Sequence, residues 1–290
     1  MEFMQTLPRI SIVTPSFNSA VTIRETIRSV WDQGYPDLEH IVMDGGSTDG
    51  TLGIVKEYPQ IICFSEKDEG HYHAMNKGIE RATGSVVAIL NTDDTYAPGA
   101  LLQIGRAFAE RPDWDGLFTD VAYIDGAGNR IMERHEAVFD YNVLRFARPC
   151  YVVHPTLFLR KSTYQRLGAY KHREFLNCCD VELILRLGQS RCRIGHLSGC
   201  LVNYRLHQHG QSADLRVARN METESVRIRA AHGCPAGVAG KVFGVCYRAK
   251  RQLQKLLYRG RCDLIPGGWI LKKQMRAKTT FSSNIGVDRL

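Results

Sequence analysis

The sequence predicts an α/β protein with a mostly parallel central sheet flanked by helices, followed by a basic helical extension at its C-terminal end. Three observations predict it. Short apolar, β-branched runs alternate with segments of helical apolar spacing through the first third of the chain, the pattern of a parallel sheet covered on both faces. Those runs end abruptly in polar loops that contain acids, and ligands of open α/β sheets sit beyond the carboxyl ends of the strands. From Lys241 to Lys278, eleven Lys and Arg stand against a single acid, Asp263, so this segment carries +10 of the net +8 and the remainder carries −2.

Taken in order, Ile10 to Thr14 is the first strand, broken by Pro15-Ser16-Phe17-Asn18. Val21 to Trp31 has apolar residues at 23, 27, 30 and 31, a helical spacing. Glu39 to Met43 is the second strand. It ends in Asp44-Gly45-Gly46-Ser47-Thr48-Asp49-Gly50-Thr51, a loop of glycines and cap-forming residues before a helix to about Tyr58. Ile61 to Phe64 is the third strand, and a polar loop, Ser65 to Gly70, leads to a helix from about Tyr72 to Ala82, closed by Gly84. Val86 to Leu90 is a strand buried on both faces that stops at Asn91-Thr92-Asp93-Asp94-Thr95.

Beyond Asp94 the pattern changes. Pro98 starts a helix to about Glu110, Gly116 to Val121 is a strand, and Asp125-Gly126-Ala127-Gly128-Asn129 reads as a hairpin turn. Val152 to Arg160 is extended and carries His154-Pro155. Helices follow over Lys161 to Leu167 and Cys179 to Leu187, the second opened by Asp180, then a strand over Leu201 to Leu206. From Val242 the apolar residues fall at 242, 245, 246, 249, 253, 256 and 257, one face of a helix otherwise covered by Lys241, Arg248, Lys250, Arg251 and Lys255. Two readings stand for it: a helix lying in an anionic membrane interface, or one packed on the domain with a solvated basic face. Thr279 to Leu290 reads as disordered.

The chemistry concentrates at Asp93 and Asp94. Two adjacent carboxylates at the end of a buried strand repel each other and resist burial. Hard oxygen ligands suit Mg²⁺ or Mn²⁺, ions that also take diphosphate oxygens. The competing reading is a solvated turn or a helix cap. Asp180 opens a helix, where an acid also has the ordinary helix-dipole preference. His207 and His209 form a His-x-His pair that reads as a loop or as two ligands lacking a third. There is no GxGxxG after the first strand and no GxxxxGK[ST], which excludes a dinucleotide fingerprint and a P-loop. Nine cysteines lie scattered without CxxC, which reads as reduced cytosolic thiols. No basic, apolar leader opens the chain, and no apolar run reaches the roughly 18 residues of a membrane span. A basic segment on a near-neutral body speaks for an anionic membrane surface and against nucleic acid.

The quoted residues resemble the inverting family 2 glycosyltransferases, which have the GT-A fold. The resemblance rests on Ser11-Ile-Val-Thr-Pro-Ser-Phe-Asn18, Ile41-Val-Met-Asp-Gly-Gly-Ser-Thr-Asp-Gly-Thr51, Ser65-Glu-Lys-Asp-Glu-Gly70 with Ala74-Met-Asn-Lys-Gly78, and Asn91-Thr-Asp-Asp94. It continues more weakly through Asp120, His154-Pro155, Asp180 and Tyr204-Arg-Leu-His207, and stops near residue 232. It implies a nucleotide-sugar donor, a UDP-sugar foremost, and an acceptor that is a glycan or polyprenyl-linked. Thr14, Pro15 and Phe17 would line the base pocket, Asp44 would meet base or ribose, and Asn76 would join the donor site. Asp93 would contact ribose or the metal shell, and Asp94 would ligate Mn²⁺ or Mg²⁺. Asp180 matches the general base. His154, Glu182, Arg205 and His207 would meet the diphosphate or the acceptor.

Two departures accompany the resemblance: His73 stands where the family usually has an acid, and Lys67 where it often has proline. A second acid, Glu182, sits close to Asp180. The resemblance implies a transferase domain over residues 1–232, with a nucleotide half at about 8–121 and an acceptor half at about 122–232, and an extension over 233–290. It places the protein in the cytoplasm, peripheral at the inner face of the plasma membrane. A non-catalytic nucleotide-sugar-binding scaffold and a nucleotidyltransferase are the competing classes. The second would need a glycine-rich basic loop where Pro15-Ser16-Phe17-Asn18 stands.

Overall fold

A computed structural model describes residues 6–147, 150–206, 215–235 and 237–259. His207, His209 and the tail from Thr279 lie outside the described residues.

Strands β1 (Ile10–Ser16), β2 (Leu38–Asp44), β3 (Ile62–Ser65) and β4 (Val86–Ile89) pair in parallel in the order β3-β2-β1-β4. They alternate with helices α1 (Ile23–Trp31), α2 (Thr51–Lys56) and α3 (His71–Arg81). Burial on both faces is visible residue by residue. Ile10, Ile12, Val86 and Ala88 enter one core, whereas Val13, Val87 and Ile89 enter the other. That is why these strands read as continuous apolar runs. Gly78 lets α3 lie directly on β1, since a Cβ there would come within 2.2 Å of Val13 Cγ1. Gly84 has a similar cause: a Cβ would meet the Ser11 backbone nitrogen at 2.7 Å.

Beyond β4 the chain forms β5 (Thr95–Tyr96), α4 (Ala100–Glu110), β6 (Gly116–Ile124), β7 (Arg130–Arg134) and α5 (Tyr141–Phe146). A single tight helical turn, His154–Thr156, interrupts the stretch expected to be extended before β8 (Leu157–Arg160). Helices α6 (Lys161–Leu167) and α7 (Cys179–Gln189), strand β9 (Ile194–Arg205), and helices α8 (Leu215–Ala231) and α9 (Gly237–Arg259) complete it. The sheet runs β3-β2-β1-β4-β8-β6-β9-β5, with β7 paired to β6. It is mixed. The parallel character belongs to its N-terminal half and to the β6–β9 pair, because β8 inserts antiparallel between β4 and β6.

Helix α9 packs on α5, and it does so by an unexpected face. Phe243 and Tyr247 stack on Phe146 at 5.1 and 4.8 Å. Arg251 and Lys255 pair with the buried carboxylate of Glu136, and Lys250 and Gln254 reach Asp140. The apolar stripe at Val242, Val245, Leu253, Leu256 and Leu257 is 49–72% exposed. The helix is therefore not packed by that stripe, and its basic residues divide: Arg251 and Lys255 are engaged, whereas Lys241 and Arg248 are exposed. Among the described residues no helix is long and apolar enough to cross a membrane.

Candidate active site

Parallel pairing brings the carboxyl ends of β1 to β4 to one edge of the sheet, where β1 ends at Ser16, β2 at Asp44 and β3 at Ser65. Asp44 is 1% exposed. Its carboxylate accepts from the backbone N–H of Gly46 (3.0 Å) and Ser47 (2.9 Å), from the Ser47 hydroxyl, and from Ser65 Oγ (2.7 Å). It closes its own glycine loop onto β3. Beside this loop the Phe17 ring is 63% exposed. A Cβ on Gly45 would meet Phe17 Cδ2 at 3.4 Å and Asp68 Oδ2 at 2.7 Å. Phe17, Gly45 and Asp68 therefore form one open corner with a flat aromatic face and a carboxylate. Thr14 and Pro15 do not share it. Both are buried, and Thr14 Oγ1 pairs with His40 Nε2 at 3.0 Å inside the sheet. The alternation of a strand that is buried on both sides leaves them no open face.

Asp93 and Asp94 follow β4 at the same edge. Asp94 is 1% exposed, whereas Asp93 is partly exposed. Asp94 Oδ1 accepts from the N–H of Arg205 (3.0 Å) and Oδ2 from Asn91 Nδ2 (3.2 Å). Burial, then the charge of Asp93, pushes the Asp94 carboxyl well above the usual carboxylate range. A buried carboxyl beside a second one favours a cation there, and their hard oxygens fit Mn²⁺ or Mg²⁺. Arg205 is engaged within the protein. Its guanidinium donates to the carbonyls of Asp93 (2.9 Å), Asp125 (3.1 Å) and Gly126 (3.0 Å) and to Glu25 Oε2 (2.6 Å). It clasps the acid loop to α1 and to the β6–β7 turn.

Asp180 lies in the first turn of α7 and accepts from Tyr72 Oη at 3.0 Å. Tyr72 belongs to the first turn of α3, which starts at the carboxyl edge of β3. The Tyr72 ring packs against His71 (4.0 Å), Tyr170 (5.3 Å) and His154 (6.5 Å). Burial, then His154, pulls the His71 ring down to about 4 despite Asp180 and Asp68. His154 Nε2 lies 2.7 Å from Tyr170 Oη. Glu182 is turned away from this pocket, its carboxylate held by Arg186 (2.8 Å) and Lys171 (3.3 Å). Asn76 is also engaged: it donates to the carbonyl of Tyr170 (2.7 Å) and accepts from its N–H (2.9 Å). It fixes the backbone of Tyr170. Tyr72, His71, Tyr170 and Asp68 were missed from the sequence. Their partners are far along the chain, and aromatic residues in a helix read as core.

The description "Glycosyl transferase family 2" matches residues 11–169, which hold the strand-end acids and His154. The chain belongs to glycosyl transferase family 2. Among relatives of this glycosyltransferase, a PGL/p-HBAD biosynthesis glycosyltransferase of Mycobacterium bovis is 30% identical over 172 residues, 57% of this chain and 64% of that protein. The O-antigen biosynthesis protein RfbC of Myxococcus xanthus is 29% identical over 245 residues, 81% of this chain and 19% of that protein. The chain thus spans less than two thirds of either relative. Among solved structures, S. aureus TarS 1-349 in complex with UDP-GlcNAc has a TM-score of 0.63 at 19% identity, covering 86% of this chain and 73% of that one. The mannosyltransferase PcManGT of Pyrobaculum calidifontis, in complex with GDP-Man and Mn2+, has a TM-score of 0.57 at 20% identity, covering 98% and 77%. The glycosyltransferase has the GT-A fold.

Proposed function

We propose that this glycosyltransferase is inverting and metal-assisted, moving a sugar from a nucleotide-sugar donor to a hydroxyl of a glycan or polyprenyl-linked acceptor. One observation carries the reading. Tyr72, on the helix that starts at the strand-end edge, holds the carboxylate of Asp180, which supports a base at the edge that also carries Asp93 and the buried Asp94.

In this reading Asp180 takes the proton of the acceptor hydroxyl as that oxygen attacks the anomeric carbon. The bond to the diphosphate breaks on the opposite side, and the nucleoside diphosphate leaves with the electron pair. No enzyme nucleophile is needed. Asp94 and Asp93 would hold Mn²⁺ or Mg²⁺, which when bound supplies charge neutralisation to the diphosphate. Arg205 holds the acid loop still, and Phe17 offers its ring to the nucleotide base, with Asp68 beside it. Tyr72 orients Asp180, while the ring of His71, kept neutral by its surroundings, adds no competing positive charge. The His73 departure touches neither acid: His73 accepts from the Glu69 N–H (2.9 Å) and stacks on His172 (4.8 Å).

The names of the relatives and the UDP-GlcNAc and GDP-Man complexes of the fold neighbours support a nucleotide sugar and an envelope glycan. UDP is the foremost base carrier. The exposed apolar stripe of α9, with the exposed Lys241 and Arg248, supports docking on an anionic membrane, peripheral at its cytoplasmic face.

Calorimetry with UDP, GDP and dTDP, with and without Mn²⁺, tests the reading on the wild type and Asp94→Ala. Metal-dependent binding of one nucleotide, lost in the variant, is expected. Absence of metal-dependent binding to all three overturns it.

A further inference from the structure

The carboxylate of Asp120, in the middle of β6, takes no part in the reaction above, yet it is buried and heavily partnered. It lies 3.0 Å from His135 Nδ1 and 2.9 Å from His196 Nε2, and it accepts from the N–H of Glu136 (2.9 Å) and Gly199 (3.0 Å). An ionised carboxylate only accepts, so the Nδ1 of His135 carries the proton. Its Nε2 faces the far side, where a bound ion would take the place of the ring proton. That Nε2 lies 3.1 Å from Glu133 Oε2. Cys200 joins them, and one ligand atom from each of Glu133, His135 and Cys200 lies within 4.8 Å of the others.

The backbone explains how a thiol reaches this place. Cys200 pairs with Asp120 in the β6–β9 ladder, and the register slips on both sides of that pair. Bulges re-aim side chains. Gly199, at φ +121, supplies the backbone conformation and donates to Asp120. Glu133 in β7, His135 just past its end and Cys200 in β9 therefore flank β6 and meet over Asp120.

We propose that Glu133, His135 and Cys200 bind a soft divalent ion, Zn²⁺, with Asp120 as the buried carboxylate that orients His135. A ligating imidazole backed by a carboxylate is the usual outer shell of such sites. Thiolate and imidazole select Zn²⁺ over the hard ions suited to Asp93 and Asp94. Three protein ligands leave one position for water. Glu133 and His135 are 37% and 22% exposed at their side chains, which gives an ion a way in. The cluster of Glu69, His73 and His172 fits less well, because His73 Nδ1 accepts from a backbone N–H. Its ring proton therefore sits on Nε2, with no carboxylate behind the other nitrogen. The Zn²⁺ site clips β7 to β9 across β6. Glu136, the anchor of α9, is the residue after His135.

The test uses the full chain, stripped by chelator and kept in a thiol-free reductant, with Co²⁺ as a visible probe and Zn²⁺ in competition. The expected result is a thiolate-to-cobalt charge-transfer band that saturates at a single equivalent, is erased by Zn²⁺ and resists Mn²⁺. Cys200→Ser removes the band and Cys63→Ser keeps it. Glu133→Gln, a surface change that spares folding, weakens Zn²⁺ binding by about tenfold or more, as even outer-shell changes do. Zn²⁺ at saturation raises the melting temperature of the wild type by a few degrees and leaves that of Cys200→Ser unchanged. No band in the wild type, a band that persists in Cys200→Ser, or displacement by equimolar Mn²⁺ overturns the proposal.

Discussion

At the scale of single residues, Asp180 and Tyr72 give the sharpest expectations. Asp180→Asn lowers turnover by about a hundred- to ten-thousand-fold while nucleotide binding persists, read by steady-state kinetics beside calorimetry. Tyr72→Phe removes a hydroxyl that donates to the Asp180 carboxylate, a bond worth about 1.5 kcal/mol. Turnover then falls by about tenfold. His40 gives a stability signature. Burial depresses its ring to about 3 and keeps it neutral in the fold. The unfolded chain takes up that proton first, near pH 6.5. Stability from this residue is complete above that value and is lost as pH falls toward about 3, at no more than about 1.4 kcal/mol per pH unit. Thermal melts of His40→Leu lack this share of the slope. The acids were legible because strand-end and helix-start positions are marked in the sequence. Tyr72 was not, since its partner lies 108 residues away.

At the scale of elements, the decisive contact is the seat of α9. Burial pushes the Glu136 carboxyl up, but Arg134, Arg251 and Lys255 outweigh it and hold it below the usual range. Glu136→Ala leaves three cations with a lost partner, two of them in tight geometry with Glu136. Breaking such a buried network costs about 3–5 kcal/mol, which denaturant unfolding measures. The helix itself was read correctly from its 3.6-residue spacing, but the face it buries was not. Periodicity says that one side is apolar; it does not say what that side meets. Helix α8 was unread for a related reason: from Leu215 to Ala231 its apolar residues are too sparse to mark a face. The direction of β8 was equally hidden, since a short apolar run reads the same in either sense.

For the whole molecule, the exposed stripe of α9 is what the proposed membrane docking rests on. Leu253→Glu with Leu256→Glu is expected to weaken binding to anionic vesicles at least tenfold, because each Leu loses about 1.5–3 kcal/mol of apolar burial. Turnover on a short water-soluble acceptor stays unchanged. Equal vesicle binding by the variant, in co-sedimentation, removes the membrane from the account. The fold was legible at this scale because four strand–loop–helix motifs occur in register. The second half stayed coarse because its sheet is closed by partners that only tertiary structure supplies.

Arg205 shows what that dependence means during synthesis. The backbone N–H that holds Asp94 comes from a residue 111 positions further on. At about 5–20 residues per second, the ribosome leaves the acid pair without its clasp for several seconds to tens of seconds. A nascent chain, or a message cut short after residue 169, contains every residue of the family match and still lacks the residue that fixes the acid loop. The acid loop is therefore clasped only once residue 205 has been made, and copies cut short before it carry the motif without the tool.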